Sequence, residues 1–422
     1  MASEKFIIQG GKKLEGEVAI SGYKNAAGAC LSAALLTKEE CIIDNLPRVE
    51  DVFSLLNIFE KIGAEFSWIG EKKIKIKAGP NLDPEKLDPV LVGKSRVSVL
   101  MIGSLLSRFK DFKISRPGGD RIGLRPISTH LKALGKLGVQ VLPEGEDYHF
   151  QRNSLRGAEV ILDEFSVTAT EDLVMAAVVS KGKTIIKGAA AEPQIQDLGK
   201  MLKGMGAKIE GLGNHTIFVD GVAELKGVSH KIMPDPLETG TFVIAGAITP
   251  GEILIKNCDP SHLDIFLAKL EEIGVNFEKG PDFIKVDFSP RLISARIQAL
   301  PYPGFPTDLL PVVLPLLTQA EGKSLIHDPL YENRLNFTQE LRKMGADIEV
   351  VDPHRAFVFG KTPLSGLKIE SWDIRAGASL IIAGLIAKGQ TTIESIYQID
   401  RGYEKIEEKL QKIGADIKRV TS

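Results

Sequence analysis

Two kinds of hydrophobic pattern alternate along this chain. Short segments rich in β-branched residues are typical of buried strands, and longer segments with apolar positions every three to four residues are typical of helices. Near the start, the pattern predicts a helix over 25–37, a strand over 41–46 and a helix over 51–62. The same order returns over 239–273 and over 375–413. The sequence therefore predicts an α/β protein.

A glycine followed by Ala or Val and a short apolar segment occurs six times. These glycines are 68–75 residues apart, at Gly63, Gly138, Gly206, Gly274, Gly345 and Gly414. Glycine just beyond a helix adopts the left-handed conformation that ends it, so each motif predicts a helix end and then a strand. Recurrence at a nearly constant interval indicates six duplicated repeats of about 70 residues.

The number of repeats predicts two domains of three repeats each. The 422 residues also exceed the length at which one hydrophobic core usually stops growing. We expect one domain over 23–232 and the other over 1–22 plus 233–422. Two short strands, at 5–9 and 17–20, precede the first repeat, and we expect them to complete the last one.

The composition is that of a globular protein, with 43% hydrophobic and 26% charged residues. The 53 basic and 55 acidic residues nearly cancel, which argues against a nucleic-acid scaffold. Three cysteines without a CxxC pair and seven scattered histidines favour neither a disulfide framework nor a zinc site. The start of the chain lacks a signal peptide pattern, and no apolar segment is long enough to span a membrane. We expect a cytoplasmic protein.

Basic residues recur near predicted helix starts: Lys24, Arg96, Arg125, Arg334, Arg375 and Arg401. A cation there is locally unfavourable by about 0.3–1 kcal/mol, whereas helix N-termini favour anions. The pattern therefore indicates a site for a phosphate or carboxylate.

Two acidic residues also stand out. Asp120 lies in a glycine-punctuated loop over 116–126, and Asp308 follows two prolines at a predicted helix start. The pattern alone leaves both a chemical role and an ordinary turn or helix-capping role open.

Six motifs in this order resemble those of the enolpyruvyl transferases: SGYKNAA (21–27), PGGDRIGLRP (117–126), FPTDL (305–309), YENR (331–334), WDIRAGASL (372–380) and IDRGYEKI (399–406). The resemblance runs from about Phe6 to Val420 and is closest to members whose acceptor is UDP-N-acetylglucosamine. It implies an inside-out α/β barrel of the enolpyruvyl transferase type, with two domains of three repeats around buried helices.

The activity that the resemblance implies is transfer of the enolpyruvyl group of phosphoenolpyruvate to the 3′-hydroxyl of UDP-N-acetylglucosamine. Phosphate is released through a tetrahedral addition–elimination intermediate, without a metal or organic cofactor. This is the first committed step of peptidoglycan synthesis, and so bears on cell wall biogenesis, cell shape, cell division and the cell cycle. The expected partners are these two small molecules, with neither nucleic acid nor membrane.

The resemblance also implies roles for individual residues. Lys24 and Asn25 hold phosphoenolpyruvate, while Arg125 and Arg401 clamp its phosphate and carboxylate. Asp308 takes the proton of the sugar hydroxyl. Three residues support this site: Arg334, Asp373 and Arg375. The UDP-sugar is bound by Arg96, Arg125, Pro126, Ile127, Ser128, Thr129, His130, Glu164, Ser166, Val167 and Leu330.

The proposed acid, Asp120, occupies a position where most of the family has cysteine. A thiol is ordinarily protonated at neutral pH and a carboxylic acid is not, so proton donation here needs the negative charge of bound substrate. Fosfomycin alkylates the cysteine, and we expect it not to inactivate this protein.

Other departures lie mainly on the nucleotide side. Glu164 replaces a lysine, Thr168 a glycine and Pro236 an arginine; Ser128-Thr129 replace Asp-Leu, and Gln398 replaces a histidine. The acceptor therefore stays open between UDP-N-acetylglucosamine and another molecule such as shikimate-3-phosphate. A non-catalytic ligand-binding paralogue is the third alternative.

Overall fold

Strands alternate with helices throughout the chain, of which the computed structural model describes residues 4–120 and 122–421. The strands of this part are β1 Glu4–Gln9, β2 Leu14–Ala19, β3 Glu40–Asp44, β4 Glu65–Gly70, β5 Lys73–Lys77, β6 Asp111–Ser115, β7 Val139–Glu144, β8 Asp147–Arg152, β9 Glu159–Ile161, β10 Lys183–Lys187, β11 Lys208–Glu210, β12 Thr216–Asp220, β13 Ser229–Lys231, β14 Gly251–Lys256, β15 Asn276–Lys279, β16 Phe283–Asp287, β17 Arg296–Gln298, β18 Gly322–His327, β19 Asp347–Asp352, β20 Arg355–Gly360, β21 Lys368–Glu370, β22 Gln390–Glu394 and β23 Asp416–Thr421.

The helices of the same part are α1 Lys24–Ala34, α2 Glu50–Lys61, α3 Pro89–Val92, α4 Met101–Arg108, α5 Ser128–Lys136, α6 Val167–Ala177, α7 Pro193–Gly204, α8 Pro236–Ile248, α9 Asp264–Ile273, α10 Leu310–Thr318, α11 Thr338–Lys343, α12 Ile374–Ile386, α13 Tyr397–Asp400 and α14 Ile406–Lys412. Single turns of 3₁₀-helix cover Pro84–Lys86, Arg96–Leu100, Pro260–Leu263 and Thr307–Leu309.

The described chain divides into two units. Unit 1 consists of residues 4–21, 122–124 and 234–421, and unit 2 of 22–120 and 125–233. Within the described residues each unit has three sheets. Those of unit 2 are ordered β13-β3-β5-β4, β6-β8-β7 and β11-β12-β10-β9, and those of unit 1 β21-β22-β1-β23, β15-β16-β14-β2 and β17-β18-β20-β19.

Three helices form the interior of each unit. In unit 1, α8, α10 and α12 pack against one another, and every residue of α8 and α10 is buried. In unit 2, α1 and α6 both pack against α4, and nine of the eleven residues of α6 are buried. Helices that are apolar on all sides must be enclosed, and here other helices and the sheets enclose them. The predicted fold, with its buried helices, is confirmed.

The six glycines that marked the repeat all have left-handed backbone conformations, with φ between 91° and 105°. A residue with a Cβ is strained there. This confirms the physical reason for which glycine recurs at the end of one helix in every repeat.

The leading strands follow the prediction only in part. β1 lies between β22 and β23 in the sheet of the last repeat, as expected. β2 instead pairs in parallel with β14, in the sheet of the fourth repeat, so the prediction for this strand was wrong. Because both edges of β1 are already paired, β2 cannot form a hairpin with it, and the chain passes to the neighbouring sheet.

In the described part of the chain, no helix is both long and apolar enough to cross a membrane.

Candidate active site

The first turn of α1, in unit 2, carries Lys24 and Asn25. The Lys24 ammonium lies 2.6 Å from Asp51 Oδ2, and only 11% and 10% of these side chains are exposed. Asn25 Nδ2 donates to the hydroxyl of Tyr23 at 2.9 Å. Tyr23 precedes the helix without a side-chain cap bond. Lys24 is therefore oriented by a buried carboxylate, and an ammonium has three donor hydrogens to share between that carboxylate and a ligand.

The loop that carries Asp120 lies close to the segment before Arg96. A Cβ on Gly118 would stand 1.8 Å from the carbonyl oxygen of Gly93, so only glycine allows this approach. Arg96 Nη1 donates to the carbonyl oxygen of Arg125 at 2.6 Å. The loop is thus fastened to unit 2 on both sides of Asp120, whose side chain is half-buried.

The tip of the same loop, residues 122–124, belongs to unit 1. Leu124 N–H donates to Glu332 Oε1 at 2.7 Å, and Asn333 N–H donates to the Ile122 carbonyl at 3.0 Å. A Cβ on Gly123 would lie 2.3 Å from Glu332 Oε2. Glycine at this position therefore lets the carboxylate close over the backbone.

The residues predicted to bind the UDP-sugar meet where α5 and α6 begin. Thr129 Oγ1 donates to Glu164 Oε1 at 3.1 Å, and His130 Nε2 lies 2.8 Å from Thr168 Oγ1. The hydroxyl of Ser166 caps α6. Four further predicted residues lie in the same two segments, with Ile127 buried, Val167 half-buried, and Pro126 and Ser128 exposed.

His130 is a neutral group in this arrangement. Burial lowers its pKa, and the positive charge of Arg96 lowers it further, to about 3. Its ring therefore acts at neutral pH through hydrogen bonds rather than through charge. Glu164, by contrast, is exposed, and it puts an acidic group beside Thr129.

In unit 1, Asp308 lies in the 3₁₀ turn before α10 and is held by two arginines. Its Oδ1 accepts from Arg334 Nη2 at 2.8 Å, and its Oδ2 from Arg375 Nε at 3.2 Å. The two arginine side chains are only 2% and 3% exposed, whereas Asp308 is 30% exposed. The carboxylate is therefore the accessible part of a buried cluster of charges.

Several acidic groups balance these cations. Burial lowers the pKa of Arg334, but the charges of Asp308, Asp373 and Asp328 outweigh it, and the pKa ends above its ordinary value. Asp328 is fully buried, and its Oδ2 lies 3.8 Å from Arg334 Nε. Arg334 therefore remains charged in the interior, where charge-assisted hydrogen bonds are strong.

Two further predicted residues, Asp373 and Leu330, lie next to this cluster and make hydrogen bonds that involve backbone N–H groups. Asp373 caps α12, accepting hydrogen bonds from the N–H groups of Arg375 and Ala376 at 2.7 and 2.9 Å. The N–H of Leu330 donates to Asp328 Oδ1 at 2.9 Å, and the Leu330 side chain is 40% exposed.

Arg401 differs from its expected position in the fold. It follows α13 instead of beginning a helix, because Lys405, at φ 47°, separates it from α14. Its Nη1 donates to Gln398 Oε1 at 2.9 Å. Gln398 therefore orients Arg401.

Sequence reasoning missed three residues that shape these clusters: Asp51, Asp328 and Tyr403. Asp51 looks like an ordinary acid in a first helical turn, and Asp328 stands just ahead of the YENR motif. Tyr403 belongs to the IDRGYEKI motif, and its ring lies 5.2 Å from the Arg375 guanidinium carbon. In the sequence, Tyr403 could be singled out by its place in the IDRGYEKI motif, whereas Asp51 and Asp328 carried no signal.

Metal ligands of the usual kinds come together once in the described residues, at Cys30, Asp197 and His230. None of the three belongs to the predicted site.

A match to a family profile shows the family to which the chain belongs. The profile of EPSP synthase (3-phosphoshikimate 1-carboxyvinyltransferase) matches residues 8–410. The chain belongs to this family. The resemblance to enolpyruvyl transferases is thereby confirmed.

Relatives within the EPSP synthase family are similar over almost the whole chain. A UDP-N-acetylglucosamine 1-carboxyvinyltransferase of Koribacter versatilis is 43% identical over 420 residues, 99% of this chain and 96% of that protein. One from Borreliella burgdorferi is 40% identical over 428 residues, 99% of each.

Solved structures of the family share the fold. The enolpyruvyl transferase NikO from Streptomyces tendae matches with a TM-score of 0.90 at 25% identity, covering 100% of both chains. EPSP synthase from Acinetobacter baumannii matches with a TM-score of 0.74 at 19% identity, covering 99% of this chain and 100% of that one.

Proposed function

We propose that this chain transfers the enolpyruvyl group of phosphoenolpyruvate to the 3′-hydroxyl of UDP-N-acetylglucosamine and releases phosphate. The observation that carries the proposal is 40–43% identity, over 99% of the chain, to proteins named UDP-N-acetylglucosamine 1-carboxyvinyltransferase. The chain is thus a transferase of peptidoglycan synthesis whose substrates are two small anionic molecules. We place this activity in the cytoplasm.

Asp308 is the proposed base. As the sugar hydroxyl attacks C2 of phosphoenolpyruvate, its proton passes to the carboxylate, a transfer worth about 10²–10⁴ in rate. The bonds from Arg334 and Arg375 support this role, because they fix the carboxylate before substrate binds. The same arginines favour its ionised form, which is the form that can accept a proton.

Asp120 is the proposed acid. It donates a proton to the methylene carbon of phosphoenolpyruvate, which makes C2 electrophilic and gives the tetrahedral intermediate. In the second half of the reaction a proton returns from that methyl group to the Asp120 carboxylate, and the bond from C2 to the phosphate oxygen breaks, which releases phosphate. The loop holds Asp120 between the close approach of Gly118 to Gly93 and the bond from Arg96 to the Arg125 carbonyl, which supports the assignment.

Four residues are proposed to hold the donor: Lys24, Asn25, Arg125 and Arg401. Arginine is suited to planar bidentate binding of carboxylate and phosphate, and lysine supplies a point charge. The fixed orientation of Lys24 by Asp51 and of Arg401 by Gln398 supports this proposal.

The acceptor is proposed to bind at the starts of α5 and α6, in unit 2. The junction of residues 125–130 with 164–168 supplies two helix N-termini, which favour a diphosphate, and the neutral ring of His130. We also propose 23–232 and 1–22 plus 233–422 as the two domains of the enzyme, a division supported by the two units.

The test is phosphate release from phosphoenolpyruvate with two acceptors, UDP-N-acetylglucosamine and shikimate-3-phosphate. We expect release only with the UDP-sugar. Release only with shikimate-3-phosphate would show a transferase with another acceptor. Absence of release with either, together with measurable binding of the UDP-sugar by calorimetry, would identify a non-catalytic paralogue.

A further inference from the structure

Three elements of unit 2 bring together a thiol, a carboxylate and an imidazole. Cys30 lies in α1, Asp197 in α7 and His230 in β13, and one ligand atom of each lies within 4.8 Å of the other two. Cys30 is fully buried, and the side chains of Asp197 and His230 are 5% and 12% exposed. The group is therefore enclosed by protein, unlike the clusters of surface acids that many proteins carry.

The spacing of these atoms is close to that of ligands around one metal ion. His230 Nε2 is 3.2 Å from Asp197 Oδ1, yet this buried nitrogen has no hydrogen-bond partner among the described residues. Around a tetrahedral zinc ion, neighbouring N, O and S ligand atoms lie about 3.3–3.6 Å apart. The nitrogen and oxygen are already close to this separation, and the sulfur lies within 4.8 Å of both.

The charge of the group also suits a divalent cation. A thiolate and a carboxylate together carry two negative charges, and a neutral imidazole adds none. A dication held by these three ligands would therefore leave no net charge in the interior, where an unbalanced charge is costly. Sulfur and imidazole ligands favour zinc over magnesium or calcium.

We propose that Cys30, Asp197 and His230 bind one zinc ion. Binding forms three bonds from the metal to sulfur, oxygen and nitrogen, and water takes the fourth position. The thiol of Cys30 loses its proton to solvent in this step, and no group is oxidised or reduced. The Oδ2 atom of Asp197, which accepts from the Met233 N–H at 3.3 Å, orients the carboxylate from behind.

The proposed zinc would fasten α1 to α7 and β13. The first turn of α1 carries Lys24 and Asn25, about one and a half turns before Cys30. The ion would thus fix the helix that positions two residues proposed to hold phosphoenolpyruvate.

Metal content of the full-length protein tests the proposal. The chain is freed of metal with a chelator, mixed with one equivalent of zinc, desalted, and its metal is measured by mass spectrometry. We expect about one retained zinc per chain. We expect background zinc in Cys30→Ser and in His230→Gln, and unchanged retention in the matched control Cys258→Ser, another buried thiol.

Cobalt provides a second readout that needs no variant. Co²⁺ bound to the wild-type chain is expected to show a thiolate-to-metal charge-transfer band, which reports the bond to sulfur directly. The band should disappear when one equivalent of zinc is added. Absence of retained zinc in the wild type, equal retention in Cys30→Ser, or a cobalt spectrum without the thiolate band would each overturn the proposal.

Discussion

The acidic candidates of unit 1 and of unit 2 are held in opposite ways. Asp308 of unit 1 is bound by two arginines that are almost wholly buried, with Asp328 and Asp373 completing the cluster. In unit 2, Asp120 lies in a glycine-rich loop, and the exposed Glu164 accepts a hydrogen bond from Thr129. The acid of unit 1 is thus held by buried charge, whereas those of unit 2 lie in a loop or at the surface.

This difference matches the two chemical tasks. A base must be ionised and aligned before the acceptor arrives, and buried cations achieve both at once. An acid with a carboxylic side chain must be protonated at neutral pH, so it depends on the negative charge of bound substrate rather than on fixed cations. We therefore expect unit 1 to be intolerant of substitution and unit 2 to be adaptable.

The largest effect is expected for Asp308→Ala. Loss of the proton acceptor should lower kcat about 10²–10⁴-fold, measured as phosphate release at saturating substrates. The control is Asp264→Ala, an exposed acid at the start of α9 in the same unit, which should keep wild-type activity. Near-normal kcat in Asp308→Ala would show that another group accepts the proton.

Substitutions of Asp120 test whether unit 2 tolerates change. Asp120→Ala should lower kcat about 10²–10³-fold, because the acid is lost. Asp120→Cys should keep activity, because a thiol is protonated at neutral pH, and should gain a fosfomycin adduct in intact-mass measurements. The wild type should show no time-dependent adduct. An adduct on the wild-type chain would contradict the prediction.

Removing a buried cation from unit 1 should cost stability. Arg334→Met removes the buried cation beside Asp328 and leaves Asp308 with Arg375 as its arginine contact, and it should lower the free energy of unfolding by about 3–5 kcal/mol, measured in urea. Arg342→Met, at an exposed position of α11, is the control and should change it by less than about 0.5 kcal/mol. Equal effects in the two variants would mean that the cluster does not stabilise unit 1.

A smaller, pH-dependent effect is expected at Asp235, the cap of α8. Burial raises its pKa to about 6, against the opposing charge of Arg375. The folded chain therefore binds this proton more tightly than the unfolded chain does. Protonated Asp235 contributes fully to the stability of the folded chain below the ordinary pKa near 4. This contribution is lost as the pH rises to 6, because the carboxylate then ionises in a buried position.

Asp235→Asn keeps a capping side chain but removes this titration. We expect its free energy of unfolding, relative to wild type, to rise by about 1–3 kcal/mol between pH 4 and pH 6.5. A flat difference between pH 4 and pH 6.5 would contradict the assignment.

The smallest effect is expected at the exposed Glu164. Glu164→Lys restores a cation beside the diphosphate and should lower KM for UDP-N-acetylglucosamine severalfold with kcat unchanged, an effect that salt weakens. Glu224→Lys, another exposed acid of unit 2, should leave KM unchanged. A higher KM in Glu164→Lys would indicate that this chain has rebuilt its acceptor site around the carboxylate.

Local features of this fold could be predicted from the sequence. The six repeat glycines were recognised because each must adopt a left-handed conformation, a requirement of the residue itself. α12 begins within one residue of its predicted start, because Asp373 is a capping residue in sequence as in structure.

Features that depend on distant partners could not be predicted in this way. The bond from Lys24 to Asp51 and those from Asp308 to Arg334 and Arg375 join separate elements, and β2 pairs with a strand more than 200 residues away. Cys30, Asp197 and His230 are far apart in the sequence. No motif with a fixed spacing could therefore have predicted that they lie together. The motif resemblance supplied part of this information, because it carries the packing of a whole family.

The positions of β1 and β2 also determine the order in which the protein can be completed during synthesis. Unit 2 is continuous apart from residues 121–124, so nearly all of its contacts are available once residue 233 has emerged. β1, by contrast, lies between strands near the end of the chain. The first strand to be synthesised, β1, therefore cannot pair until β22 and β23 have been made. Its sheet is completed only when translation is almost finished.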